Sequence, residues 1–122
     1  MDYDGTSFKS KWKDGLLRIK AFQIEENTLS LLDIILDAAV KQGGFNIAWD
    51  IRLLKTPSAY QLFKITQFCH AWKQRLDTHV HRFSILTAPS KEYVFSYIFK
   101  LIPPSCPYYL GSNVQDAKRF VI

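Results

Sequence analysis

The sequence predicts an α/β fold with a mixed, mostly parallel sheet and elements in the order β-β-α-β-α-β-α-β-α. Two observations support this prediction: Asp14-Gly15 joins two alternating runs, and the chain from residue 27 onward alternates between helical and strand patterns. A hairpin followed by such alternation indicates parallel pairing through right-handed crossovers. No internal repeat, low-complexity tract or linker interrupts residues 1–122, so we expect a single domain.

The first element is a β-hairpin over residues 7–23, SFKSKWKDGLLRIKAFQ. Asp-Gly suits a two-residue turn in which both central residues have positive φ. The opposing pairs are then Lys13 with Leu16, Lys11 with Arg18, and Lys9 with Lys20. The side chains expected on the opposite face are Phe8, Trp12, Leu17 and Ile19.

A helix is predicted over residues 27–44, where Asn27 or Thr28 can cap the start and Gly43-Gly44 ends it. Apolar residues recur there at three- and four-residue steps, namely Leu31, Ile34, Ile35 and Ala38. The next segment, residues 45–51 (FNIAWDI), is predicted to be a short buried strand.

The strongest helical pattern covers residues 56–76. We expect Thr56 to be its N-cap and Pro57 its first helical residue, where the missing N–H costs nothing. Its predicted apolar stripe consists of Leu62, Ile65, Cys69, Trp72 and Leu76.

The last third of the chain is predicted to form a strand (79–88), a helix (90–102) stopped by Pro103-Pro104, a short strand (107–110) and a final helix. Ser112 opens that final helix, with Gln115 three residues on in a capping-box pattern.

Aromatic and aliphatic residues nearly encircle the predicted helix over 90–102. The favoured explanation is deep burial, and the alternative is an apolar face left over for a ligand or partner. A leftover patch near Tyr60, Phe63, Tyr108 and Tyr109 would mark an interaction surface or a lipid site.

Composition places the chain among globular proteins, with 48% hydrophobic and 22% charged residues and a formal net charge of +5. No apolar run approaches the roughly 20 residues that cross a bilayer, and the first residues lack the layout of a secretion signal. Two cysteines are too few for a disulfide scaffold, so we expect reduced thiols and a cytoplasmic protein.

The order of elements and the size resemble the SpoIIAA-like fold of STAS domains, which is related to that of CRAL-TRIO lipid-binding domains. The segments that support this resemblance are FNIAWDI, the helix start at Thr56-Pro57-Ser58, RFSILTAPSKEYVFSYIFKLI and CPYYLGSNVQDAKRFV. The resemblance covers almost the whole chain and implies a single STAS-like domain over residues 1–122. It also implies a regulatory or protein-interaction role.

In anti-sigma-antagonist STAS domains, the loop after the central strand resembles Asp-Ser-Ser-Gly and its second serine is phosphorylated. That serine falls on Ser58, whereas Thr56, Pro57 and Ala59 depart from the pattern. A helix N-terminus can accept a phosphate through its free N–H groups and its dipole. The favoured alternative is that Thr56 caps the helix and Ser58 occupies its first turn.

Asp50 and Arg52 lie two residues apart at the carboxyl end of the predicted central strand. They could bind a ligand there, which is the usual position in open α/β sheets. The favoured alternative is that Asp50 accepts hydrogen bonds from loop N–H groups and Arg52 is solvated.

The hairpin places like charges opposite one another, which destabilises a β-ladder. One explanation is a basic surface that binds an acidic protein, a phospholipid surface or nucleic acid. A shifted register is another explanation, and a solvated sheet face or edge whose lysines discourage aggregation is the favoured one. The residues of this surface are Lys9, Lys11, Lys13, Arg18 and Lys20.

No pattern in the sequence predicts catalysis, a cofactor or a metal site. His79 and His81 are expected to share a face of one strand, but two ligands without a third make a poor metal site. Cys69 lies in the apolar stripe and is expected to be unreactive.

We therefore expect a non-catalytic interaction module that docks a protein partner, or self-associates, near Thr56-Ser58. The alternative is a binder of a lipid or small acidic ligand at the same loop and the adjacent aromatic helix. Nucleic acid is the least favoured partner.

Overall fold

The computed structural model describes residues 1–122 and contains six strands and four α-helices. The strands are β1 (Tyr3–Asp4), β2 (Phe8–Lys13), β3 (Leu16–Ala21), β4 (Phe45–Asp50), β5 (Val80–Leu86) and β6 (Tyr108–Gly111). The helices are α1 (Thr28–Val40), α2 (Ala59–His79), α3 (Glu92–Leu101) and α4 (Val114–Val121). A short 3-10 helix, Pro89–Lys91, precedes α3.

The six strands form one sheet whose spatial order is the chain order, β1-β2-β3-β4-β5-β6. The first two pairings are antiparallel and the last three are parallel. The predicted α/β class and the mostly parallel sheet are therefore confirmed. The two-residue edge strand β1 was not predicted, because so short a segment shows no alternation.

The hairpin register is the predicted one: Lys13 pairs with Leu16, Lys11 with Arg18, and Lys9 with Lys20. Asp14 and Gly15 both have positive φ, 51° and 74°. A two-residue turn of this kind matches the twist of the flanking strands and fixes the register. The alternative of a shifted register is therefore excluded.

The helices α1, α2 and α3 lie on one face of the sheet, because right-handed crossovers that advance in one direction all pass over the same face. The core forms between this face and α1 and α2. Its buried members are Phe8, Leu17, Ile19, Leu32, Ile35, Leu36, Ala39, Phe45, Ile47, Trp72 and Val80.

The apolar row that the sequence indicates on α1 is only partly buried: Ile35 is buried, and Leu31 and Ala38 are half-buried. Leu32, Ile35, Leu36 and Ala39 are buried, whereas Ile34 is 64% exposed. The segment has two overlapping aliphatic rows, and both fit a helical period. The buried side chain of Thr28, which accepts a hydrogen bond from the Glu25 N–H (2.8 Å), lies on the face that is buried.

Two polar contacts join α1 to α2. The Trp72 indole N–H donates to Asp33 Oδ1 (2.8 Å), and the Arg75 guanidinium contacts Asp37 while stacking 3.9 Å from the Trp72 ring centroid. Trp72 is the only buried residue of α2, and the other members of the predicted stripe are half-buried. The predicted stripe therefore faces the core, but much of it is incompletely covered.

The helix α4 packs alone on the opposite face of the sheet, over β4, β5 and β6. Asn46 of β4 links α4 to the sheet. The Asn46 Nδ2 donates to the Val121 carbonyl (2.9 Å), and the Asn46 Oδ1 accepts a hydrogen bond from the Arg82 N–H (3.1 Å). The N-cap is Asn113, whose side chain accepts the Asp116 N–H, so the prediction of Ser112 was one residue early.

We expect Leu36→Ala to lower the free energy of unfolding by about 2–5 kcal/mol, because the side chain is completely buried and its loss leaves a cavity. Ile34→Ala is the matched control and should change it by no more than about 0.5 kcal/mol. Urea denaturation measures both variants. A larger loss for Ile34→Ala than for Leu36→Ala would show that Ile34, and not Leu36, faces the core.

Candidate functional site

The candidate site is the loop of residues 51–58 that follows β4. It lies at the carboxyl end of the parallel strands, where open α/β sheets bind ligands. Backbone bonds tie it to its neighbours: the Ile51 N–H donates to Leu86 O (2.8 Å) and the Lys55 N–H to Phe22 O (2.9 Å). Lys91 Nζ also donates to Leu54 O (2.7 Å). The loop is therefore held on both sides.

Asp50 and Arg52 bind each other. Arg52 Nε and Nη2 donate to the two carboxylate oxygens of Asp50 (3.0 and 2.8 Å), and the Arg52 N–H donates to Oδ1 (3.2 Å). Burial opposes ionisation of Asp50, but the hydrogen bonds from Arg52 outweigh it, so the pKa of Asp50 lies below its usual value. The pair closes the loop, as the favoured alternative predicted for Asp50, while Arg52 is ion-paired rather than simply solvated.

The N-cap of α2 is Ser58, which corrects the prediction that Thr56 caps the helix and Pro57 begins it. Ser58 Oγ accepts the Gln61 N–H (3.1 Å), and Gln61 Oε1 accepts the Ser58 N–H (2.9 Å), which forms a capping box. Gln61 Nε2 donates in addition to Ile24 O (3.0 Å). The Ser-x-x-Gln spacing predicts that α2 begins here, because the two side chains accept hydrogen bonds from each other's backbone N–H groups.

Large apolar side chains surround the loop without being covered. Leu53 is 64% exposed, Tyr60 68% and Phe63 57%. Tyr60 and Phe63 are three residues apart on α2 and therefore share a face. The Lys64 ammonium lies 5.5 Å from the Tyr60 ring centroid. The carboxyl end of β4 therefore leads into an exposed, partly aromatic surface.

The aromatic helix α3 is not deeply buried, which corrects the favoured explanation from the sequence. Val94 and Ile98 are buried, while Tyr93, Tyr97 and Leu101 are exposed. The row at four-residue steps, 93, 97 and 101, faces solvent because only one helix face meets the sheet. On the inner side, Phe99 packs edge-on against Tyr108, with ring centroids 4.8 Å apart.

An apolar cleft of about 170 Å³ lies between the sheet, α1, α2 and α3. Of its 27 lining residues 22 are hydrophobic, so it offers few polar groups to a ligand. The lining includes Ile65 and Phe68 of α2 and Phe95 and Phe99 of α3. The half-covered stripe of α2 therefore borders a cleft that an apolar group can enter.

The arrangement is similar to a solved structure from Shewanella loihica PV-4, an uncharacterised DUF3478-family protein described as having a SpoIIAA-like fold. The likeness covers 94% of this chain and 92% of that one, with a TM-score of 0.68 and 13% sequence identity. The chain has a SpoIIAA-like fold. No protein-family model matches the sequence, and a search of curated proteins finds no match.

The structure brings part of the two predicted sets of site residues together. Asp50 ends β4, and Arg52, Thr56 and Ser58 lie in the loop that follows it. The hairpin cations lie on the face of the sheet opposite α1–α3, where Asp50 and Arg52 line a groove with Lys9, Lys11, Arg18 and Lys20. All five hairpin cations are exposed: Lys9, Lys11, Lys13, Arg18 and Lys20. Phosphorylation of Ser58 stays a prediction.

The structure separates the two histidines that the sequence placed on one strand face. His79 ends α2 instead of beginning the strand with His81, and its Nδ1 lies 2.8 Å from the Arg75 carbonyl, so the two histidines do not share a strand face. Burial raises the pKa of the Cys69 thiol to about 11. Burial first, and then the Asp77 charge, raises the pKa of Cys106. Neither thiol is activated as a nucleophile.

None of the four helices combines the length and hydropathy that a membrane-spanning segment requires.

We expect Ser58→Ala to lower the free energy of unfolding by about 1 kcal/mol, because it removes the cap acceptor. Thr56→Ala should change it by no more than about 0.5 kcal/mol, since Thr56 is exposed. Chemical denaturation separates the two. A larger loss for Thr56→Ala would restore Thr56 as the cap.

Proposed function

We propose that the chain is a non-catalytic protein-interaction and regulatory module that docks a partner protein over residues 51–58 and the start of α2. The observation that carries the proposal is the exposure of Leu53, Tyr60 and Phe63 around this loop. Exposed aromatic residues of this kind are typical anchors in protein interfaces. We further propose that it acts in the cytoplasm, which its free thiols, Cys69 and Cys106, support.

The bonds that hold the loop also support docking. The Lys91 bond to Leu54 O holds the middle of the loop, and the capping box at Ser58 holds its end, before any partner binds. A surface that is already ordered loses little conformational entropy on binding, which favours affinity. Because Arg52 and Asp50 neutralise each other, the partner does not need to supply a charge for either.

Ser58 gives the proposed module a means of regulation. Its Oγ is exposed at a helix N-terminus, where a phosphoryl group is electrostatically favourable. The same group would place negative charge two residues from Tyr60. Asp is a good N-cap residue, so Ser58→Asp tests this charge while keeping the cap.

The test compares Tyr60→Ser/Phe63→Ser with Ile34→Ser, an equally exposed apolar substitution on α1. Quantitative mass spectrometry of proteins captured by each variant should show one partner that the wild type and Ile34→Ser retain and the double variant loses by about tenfold or more. The partner's affinity should also change in Ser58→Asp but not in Ser58→Ala. The proposal is contradicted if all variants capture the same proteins in equal amounts, or if the wild type captures no partner.

The apolar cleft favours a second candidate function, binding of a lipid or another small acidic ligand with an apolar tail. The cleft is lined almost wholly by hydrophobic side chains, and Lys73, paired with Asp77 (2.6 Å), is its cation. A carboxylate headgroup at Lys73 with its alkyl chain between Ile65 and Phe99 uses both features.

Native mass spectrometry with added lauric acid tests this function. We expect a one-to-one complex that Ile65→Phe abolishes by filling the cleft and that Ile34→Phe, an exposed control, retains. Absence of a laurate complex, together with absence of extractable lipid from the purified protein, would overturn this candidate.

A further inference from the structure

The face of the sheet that carries α4 is only half covered. α4 packs on β4, β5 and β6, while β2 and β3 turn their exposed side chains toward solvent on this face. A groove of about 410 Å³ runs between those side chains and α4. It lies on the opposite side of the sheet from the apolar cleft, and of the proposed docking loop at residues 51–58 it includes Arg52 but not the exposed apolar residues Leu53, Tyr60 and Phe63.

The open half has the dimensions of one α-helix. The distance from the axis of β1 to the axis of β4 is three strand spacings, or about 14 Å, because neighbouring strands lie about 4.8 Å apart. A helix with its side chains is about 10–12 Å across. The six-residue strands β2 and β3 are about 20 Å long, which matches a helix of about 13 residues. A single helix beside α4 would therefore complete this layer.

The groove includes some accessible apolar surface. Leu16 and Ala48 of the sheet are half-buried, whereas Leu86 and Val121 are already buried and contribute little. Val114 is 44% exposed. An occupant that carried only charge, such as a free phosphate, would leave this surface uncovered. The groove therefore fits an occupant with an apolar side as well as a charged one.

Most of the charged side chains around the groove are basic. Its lining holds one acidic side chain, Asp50, and six cationic side chains: Lys9, Lys11, Arg18, Lys20, Arg52 and Lys118. Only two of these cations are ion-paired, Lys9 with Asp4 (3.5 Å) and Arg52 with Asp50 (2.8 Å). Like charges that oppose each other across β2 and β3 destabilise the free protein. Acidic groups placed over the groove would relieve that repulsion.

We propose that the groove binds an acidic amphipathic helix of a partner protein, with apolar residues against the sheet and carboxylates toward the cations of β2, β3 and α4. A second copy of this chain is disfavoured, because two copies that each carry a net charge of +5 repel one another. Single-stranded nucleic acid is disfavoured, since the hairpin aromatics Phe8 and Trp12 lie on the other face and offer no stacking surface here.

The probe is a synthetic peptide of about 14 residues with leucines on one helical face and glutamates on both flanks. Its matched control has glutamine in place of each glutamate. Fluorescence anisotropy should show binding of the glutamate peptide that weakens as salt rises, with binding of the glutamine peptide weaker by about tenfold or more. Lys11→Glu/Arg18→Glu should lose about tenfold or more in affinity, because both substitutions place like charge against the peptide.

Lys13→Glu is the control variant, because Lys13 is exposed on the same strand face but does not line the groove. It should change affinity by less than about threefold. If the double variant does not fold, Lys118→Glu on the exposed side of α4 gives the same test.

Equal affinity for both peptides, or for the double variant and the wild type, overturns the proposal. So does binding of single-stranded DNA or phosphatidylserine vesicles without binding of the peptide. Tyr60→Ser/Phe63→Ser should leave peptide affinity unchanged, which separates this site from the proposed docking surface.

Discussion

The direction in which the sheet is wound governs the whole molecule. Each strand from β3 onward is added on the same side of the previous one, and right-handed crossovers then pass over one face only. Three helices therefore share that face, and the other receives only α4. The two faces differ as a result: one holds an apolar core, and the other keeps an exposed basic half.

The same winding gathers the ends of β4 and β5 at one edge of the sheet. The loop after β4 receives backbone bonds from β5 and a Lys91 bond from the segment before α3, which order it without a ligand. Because α2 leaves this loop and packs firmly only near Trp72, its first turns remain uncovered. An ordered loop beside exposed apolar residues is the basis of the proposed docking surface.

The sequence predicted the elements whose signals are local and unambiguous. Asp14-Gly15 determined the hairpin register, and β4 and β5 pair in parallel as predicted. The prediction from sequence failed where two arrangements fitted the pattern equally well. On α1, two aliphatic rows fit a helical period, and only the tertiary structure determines which row packs on the sheet. The exposure of α3 depended on how many neighbours surround it, which only the tertiary structure determines. Proximity of the hairpin cations to Lys118 likewise required the position of α4.

Nuclear Overhauser effects between side chains test the one-sided winding most directly. The account predicts cross-peaks from the Leu36 methyls to Leu17 or Ile19 on one face, and from the Asn46 side-chain amide to Val121 on the other. Cross-peaks between Val121 and Leu17 or Ile19 would place α4 on the same face as α1. That result would contradict the half-covered sheet and the groove inferred from it.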